Sequence, residues 1–106
     1  MLGKTIIVQS IENPSEQQIL RGHSNRITCT AVQQNLLLSG ESGHDSDVIL
    51  WDLSQMKMLQ RFSEHDDGIN SVSFSPDGLF WCSVGTTGLI CISELKTGDI
   101  VFKQYL

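Results

Sequence analysis

Two short segments combine histidine with aspartate, the side chains that bind metal ions and transfer protons. The first contains His44, Asp45 and Asp47, and the second is the run from His65 to Asp67. Such groups at close spacing could bind a divalent metal or act as a general acid and base. Both segments fall between predicted strands, and neither sets a nucleophile beside a base. We therefore expect a non-enzymatic protein without catalytic residues, metal ligands or cofactors. A stabilising, stoichiometric divalent metal would overturn this expectation.

Composition and charge narrow the range of functions further. The 106 residues include 40% hydrophobic residues and 9 glycines, as in one small globular domain. Acidic residues outnumber Lys plus Arg by 12 to 7, the net charge is -5, and no basic run occurs. A nucleic-acid partner is therefore not expected, because phosphate binding needs clustered positive charge.

The sequence also argues against a membrane partner and against secretion. Its apolar runs are far shorter than the roughly 20 residues that span a bilayer, and its first residues lack the features of a signal peptide. We expect a cytoplasmic protein. The three cysteines, an odd number without a C-x-x-C spacing, are expected to be buried structural thiols: Cys29, Cys82 and Cys91.

The chain repeats itself at a step of 42 residues. This step carries His23 onto His65 and Phe62 onto Gln104. The repeat spans the whole chain, about two and a half units, and each unit consists of short β-rich runs separated by turn residues. It predicts ten strands, near residues 4–10, 16–21, 26–32, 36–40, 47–52, 57–62, 68–74, 79–84, 88–93 and 99–104.

A unit of this length, with Gly22-His23 near its start and Trp51-Asp52 near its end, resembles the WD40 repeat. The resemblance implies an all-β fold, a partial WD40 β-propeller of about two and a half four-stranded antiparallel blades. It also implies a buried tetrad that stabilises a blade through hydrogen bonds. By motif position its four members are His23, Ser39, Asp45 and Trp51.

The resemblance divides the chain into three parts. Residues 1–21 would be the last two strands of an incomplete blade, residues 22–63 a complete blade with an intact tetrad, and residues 64–106 a degenerate blade. In the degenerate blade His65 and Ser83 remain, but Thr87 occupies the aspartate position and Ser93-Glu94 replaces Trp-Asp. Its tetrad is therefore expected to be broken.

A closer resemblance is to the N-terminal blades of the cilia- and flagella-associated WD-repeat proteins of doublet microtubules. It covers residue 2 to about residue 85, and its more specific elements are the start Leu2-Gly3-x-Thr5 and a long loop at 41–47. It implies a structural microtubule inner protein of the axoneme that binds tubulin and neighbouring inner proteins. The alternative is a soluble WD40 adaptor subunit of a cytosolic complex.

Two and a half blades cannot close a ring, since propellers have four to eight. We therefore expect further blades from the same or another chain, and we expect the 106 residues alone to be a fragment or one piece of a larger propeller. The long loop suggests a partner contact, which we assign to Glu41, Ser42, Gly43 and His44.

Overall fold

The computed structural model describes residues 3–13 and 15–106, and within them every regular element is a β-strand. The strands are β1 (Thr5–Gln9), β2 (Gln17–Arg21), β3 (Ile27–Gln33), β4 (Leu36–Glu41), β5 (Val48–Asp52), β6 (Lys57–Phe62), β7 (Ile69–Phe74), β8 (Phe80–Gly85), β9 (Leu89–Glu94) and β10 (Ile100–Tyr105). Each lies within two residues of its predicted position. Leu2, part of the ciliary resemblance, lies outside the described residues.

These strands form three antiparallel sheets in chain order. Blade 1 is the pair β1-β2, blade 2 is β3-β4-β5-β6, and blade 3 is β7-β8-β9-β10. Every strand pairs with the one that follows it within its blade, so hairpins connect the strands inside each blade. The all-β class and the four-stranded antiparallel blades are confirmed. Across the described residues, no helix is long and apolar enough to cross a membrane.

Burial along the strands shows how the blades stack. In β8 and β9, buried and partly exposed residues alternate, as in a sheet with one covered face. In β4 and β5, by contrast, all residues but the outermost are buried. Both faces of blade 2 are therefore covered, because it lies between blades 1 and 3.

Two apolar clusters join the blades. The first seam, between blades 1 and 2, is the cluster of Ile6, Leu20, Ile27, Leu37, Ile49 and Trp51. The second seam, between blades 2 and 3, is the cluster of Leu38, Val48, Leu50, Phe62, Ile69, Val72 and Trp81. Removal of this apolar surface from water is the main force that holds the sheets face to face.

The turn before β8 is shaped by its own side chains. Asp77 Oδ1 accepts hydrogen bonds from the Ser75 hydroxyl and the Leu79 N–H, at 2.6 and 3.0 Å. These bonds favour the carboxylate and hold the pKa of Asp77 below its usual value. Gly78 has φ +76°, a conformation that glycine adopts without strain. This Ser-Pro-Asp-Gly turn is thus encoded locally.

Candidate functional site

A buried hydrogen-bond network links the middle strands of blade 2 to the loop before β3. His23 lies in that loop, Ser39 in β4 and Trp51 in β5. Ser39 Oγ is 2.5 Å from His23 Nε2 and accepts a hydrogen bond from Trp51 Nε1 at 2.8 Å. The structure therefore brings three of the four predicted tetrad residues together.

The fourth member of the network is Glu41. Its Oε1 lies 2.5 Å from His23 Nδ1, and its Oε2 accepts a hydrogen bond from Asn25 Nδ2 at 3.3 Å. One assignment of protons satisfies every group: Trp51 donates to Ser39, Ser39 to His23 Nε2, and His23 Nδ1–H to the carboxylate. A buried imidazole and carboxylate would each be costly without such partners.

The assignment of Asp45 to the tetrad is corrected by this geometry. Asp45 is exposed, and its backbone has φ +52°, in the left-handed region. Its side chain takes no part in the network around His23. The physical reason is strand register: Glu41 ends β4, two residues after Ser39, so both side chains point to the same face of the sheet.

The loop that contains Asp45 joins β4 to β5, and its backbone makes a hydrogen bond to blade 3. The Asp45 N–H donates to the Asp66 carbonyl at 2.9 Å. Within the loop, the buried Ser46 hydroxyl donates to the Gly43 carbonyl at 2.6 Å. These two hydrogen bonds restrain the loop from Gly43 to Ser46.

The four residues predicted to contact a partner separate into buried and exposed groups. Glu41 is only 1% exposed, so the expectation that it contacts a partner is wrong. Ser42 is half-buried, and its N–H donates to the Arg26 carbonyl at 2.8 Å. Gly43 and His44 are exposed, and the His44 side chain is 94% accessible. Of these four residues, Gly43 and His44 form the exposed tip of the loop.

An open groove of about 440 Å³ lies beside this tip, between the loops of blades 2 and 3. Asp67 lines it, with a carboxylate oxygen 3.7 Å from His44 Nδ1. Gly68 and Thr86 contribute from blade 3, and Thr28 from the start of β3. The groove is open and its lining mixes polar and apolar surface, which suits contact with a protein chain more than enclosure of a small molecule.

The order Ser39, His23, Glu41 has the connectivity of a serine nucleophile, a base and an orienting carboxylate. Ser39, however, is 0% exposed, and its oxygen is already engaged by Trp51. A substrate could not reach this oxygen, because the Ser39 side chain is enclosed within the blade. We conclude that the network stabilises the blade.

Asp47, from the first of the two His/Asp segments, binds side chains of its own blade. Asp47 pairs with Arg61 at 2.5 Å and accepts a hydrogen bond from the Ser63 hydroxyl at 2.7 Å. Arg61 also donates to the Gly22 carbonyl, so it links the outer strand of blade 2 to the loop that carries His23. In residues 3–13 and 15–106, no three His, Cys, Asp or Glu side chains converge in a group that could hold a metal ion.

Blade 3 carries a reduced version of the network. His65 Nε2 lies 2.8 Å from Ser83 Oγ, which is the counterpart of the His23–Ser39 contact. Gly85 stands where blade 2 has Glu41, since each lies opposite the first residue of its blade's inner strand. A Cβ at Gly85 would be 2.6 Å from His65 Nδ1. Burial lowers the pKa of His65, with a smaller contribution from Lys103.

The sequence did not identify Glu41 as the carboxylate of the network, nor the pairing of Trp81 with Ser93 across β8 and β9. Trp81 lies in β8 directly opposite Ser93 of β9, which occupies the tryptophan position of the motif. The available signal was the placement of Trp81 two residues before Ser83, because alternate strand residues share a face. The side-chain spacing from Ser39 to Glu41 gave the same signal in blade 2.

All three cysteines are free thiols. Cys91 is buried as expected, whereas Cys29 and Cys82 are half-buried. Desolvation raises the pKa of each thiol above its ordinary value. Such thiols are poor nucleophiles at neutral pH, which agrees with a structural role.

Comparison with known proteins supports the fold and the blade motif. A family model described as "WD domain, G-beta repeat" (WD40) matches residues 14–52 and 56–92. A solved structure, "Structure of U3-55K", superposes with a TM-score of 0.85 at 18% identity, covering 97% of this chain and 33% of that one. At this identity the likeness concerns the fold alone.

Curated relatives include proteins named Cilia- and flagella-associated protein 52. The protein from Homo sapiens is 37% identical over 89 residues, and that from Chlamydomonas reinhardtii is 33% identical over 89 residues. In both cases the match covers 79% of this chain and 14% of the relative. This chain thus spans a small part of the length of these relatives. Since the family model matches most of its residues, the chain belongs to the WD40 repeat family.

Proposed function

We propose that this chain is a non-enzymatic structural scaffold of cilia and flagella, acting as a microtubule inner protein in doublet microtubules. Its partners would be tubulin and neighbouring inner proteins, and its location the axoneme. The observation that carries the proposal is the 33–38% identity, over 89 residues, to Cilia- and flagella-associated protein 52 from mammals and from an alga.

The geometry of blade 2 supports a scaffold role. Its polar interior is closed, with Ser39 and Glu41 buried, and the loop after β4 is tied to the next blade by the hydrogen bond from the Asp45 N–H to the Asp66 carbonyl. A rigid sheet stack of this kind presents loops in fixed positions, and such loops are where protein partners bind. Fold alone does not name the partner, so the similarity to ciliary proteins carries that part of the proposal.

We place a candidate partner contact at this tip, Gly43 and His44, together with the half-buried Ser42. His44 is the most accessible side chain of the three and lies beside the open groove between blades 2 and 3. Because the tip's backbone is anchored through Ser42 and through the Gly43 carbonyl, it would bind with little loss of conformational entropy.

Further blades, from the same or another chain, are also proposed as partners. The face of blade 3 that points away from blade 2 carries a set of apolar side chains that are only partly covered: Cys82, Val84, Ile90, Ile92 and Phe102. In blade 2 the corresponding face is buried by blade 3. We further propose that residues 1–21, 22–63 and 64–106 correspond to a half blade, a complete blade and a divergent blade.

Fractionation of axonemes tests the ciliary assignment. The tagged chain, expressed in a ciliated cell within its complete protein, should remain with axonemes after detergent extraction and a high-salt wash. His44→Ala, which leaves the buried network intact, should weaken retention if the tip contacts a partner. Release of the unmodified protein into the soluble fraction would contradict the proposal.

A soluble adaptor subunit of a cytosolic complex is the second candidate. The WD40 repeats of this chain support it, because the repeat by itself does not name a partner or a location. The same fractionation separates the two functions, since an adaptor would appear in a detergent-soluble complex and be absent from washed axonemes.

A further inference from the structure

The two complete blades place their indole ring on different strands. In blade 2, Trp51 of β5 lies opposite Leu37 of β4. In blade 3 the large and small residues are exchanged, with Trp81 on β8 and Ser93 on β9. The two pairs are equivalent in register. Leu37 lies two residues before Ser39, and Trp81 lies two residues before Ser83; each serine contacts the histidine of its blade.

This exchange removes hydrogen bonds from the interior of blade 3. Trp51 donates to Ser39 in blade 2. In the part of the chain that the structure describes, Trp81 Nε1 and Ser93 Oγ are both buried and have no hydrogen-bond partner. A buried polar group without a partner destabilises the fold that contains it. The inner network of blade 3 is therefore reduced to the His65–Ser83 contact.

The displaced tryptophan instead strengthens the second seam. Trp81 packs edge-on against Phe62 of β6, with ring centroids 4.4 Å apart and an interplanar angle of 62°. Both rings are buried within the apolar cluster between the blades. Edge-to-face aromatic pairs are favourable beyond the area that they bury. The largest side chain of blade 3 thus stabilises its contact with blade 2.

At the first seam, between blades 1 and 2, the stability of blade 2 does not depend on one contact across the seam. Leu20 lies 42 residues before Phe62, at the same position of the repeat. It packs in the apolar cluster between blades 1 and 2. Blade 2, however, also holds itself together through Trp51, Ser39, His23 and Glu41. It should depend less on Leu20 than blade 3 depends on Phe62.

We propose that blade 3 is folded conditionally on blade 2. The Phe62–Trp81 contact holds it closed, and β7, β8 and β9 open as one unit when that contact is lost, while the inner strands of blade 2 stay folded. The stack would therefore open in a fixed order from the second seam. This property follows from the blade interiors and does not depend on the ciliary assignment.

Hydrogen exchange measured by mass spectrometry on the 106-residue chain tests the order of opening. In the unmodified chain, amides of β7–β9 should exchange faster than those of β3–β5. Phe62→Ala should speed exchange in β7–β9 by at least about tenfold, given the usual cost of removing a buried phenyl ring. The matched control, Leu20→Ala, should affect β1 and β2 and leave β3–β5 protected.

A variant that moves the tryptophan of blade 3 from β8 to β9, called the restored tryptophan, tests the proposal directly. Trp81→Leu combined with Ser93→Trp copies the arrangement of blade 2 and places an indole N–H within reach of Ser83. In the Phe62→Ala background, this double change should return the protection of β7–β9. Where Phe62→Ala prevents folding, the milder Phe62→Leu replaces it. Equal protection of both blades in the unmodified chain, or a restored tryptophan without effect, would overturn the proposal.

Discussion

Glu41 Oε1 lies 2.5 Å from His23 Nδ1, and both side chains are buried. The carboxylate of this blade therefore comes from the end of a strand and not from the loop that follows it. The stability of the chain should therefore depend on Glu41 and not on Asp45.

Glu41→Ala should destabilise the chain by roughly 3 kcal/mol, because it leaves a buried imidazole without its carboxylate partner. The matched control is Asp45→Asn, which changes an exposed loop side chain and should cost less than about 0.5 kcal/mol. Chemical denaturation followed by tryptophan fluorescence measures both. Equal losses would show that the network is misassigned.

Ser39 and Ser83 occupy equivalent positions but have different numbers of partners. Ser39→Ala leaves both His23 Nε2 and Trp51 Nε1 unpaired, so we expect a loss of roughly 2 to 3 kcal/mol. Ser83→Ala removes one contact, to His65, and should cost about half as much. The comparison uses thermal unfolding of the two variants, and a larger effect at Ser83 would contradict the structure.

Arg61 connects Asp47 to the Gly22 carbonyl at the edge of blade 2. Arg61→Ala should reduce the free energy of unfolding by about 1 kcal/mol, since the pair is partly exposed and solvent screens it. Lys103→Ala serves as control: its pair with Glu64, at 3.6 Å, is more exposed and should contribute almost nothing. Raising the salt concentration should shrink the Arg61 effect, whereas a salt-independent loss would point to packing.

His65 should make stability depend on pH. Its pKa is lower in the folded chain than in the unfolded chain, because burial disfavours the charged imidazole. The unfolded chain therefore binds the proton more readily, and stability falls as the pH drops through the ordinary value near 6.5 toward the lowered one. His65→Gln should flatten the change in Tm between about pH 7.5 and 5.5.

The control for this pH profile is Thr87→Ala, at an exposed position of the same blade. It removes no titratable group and should leave the slope of Tm against pH unchanged. If His65→Gln and the unmodified chain have the same slope, His65 does not contribute to the pH dependence.

The sequence alone predicted the ten strands, because hydrophobic alternation and turn residues act over short stretches of chain. The Ser-Pro-Asp-Gly turn shows this, since Asp77 accepts hydrogen bonds from Ser75 and Leu79, each two residues away. The resemblance to the WD40 repeat likewise implied a network of His23, Ser39 and Trp51, which meet because each strand pairs with the next.

Only the tertiary structure decided which carboxylate completes the network and which side chain meets Trp81 across the second seam. Glu41 and Asp45 are four residues apart in the sequence, and both are acidic. Strand register turns the side chain of Glu41 inward, while a left-handed backbone leaves Asp45 in solvent. Trp81 meets Phe62 across two different sheets, a contact set by how blades stack and not by any local pattern.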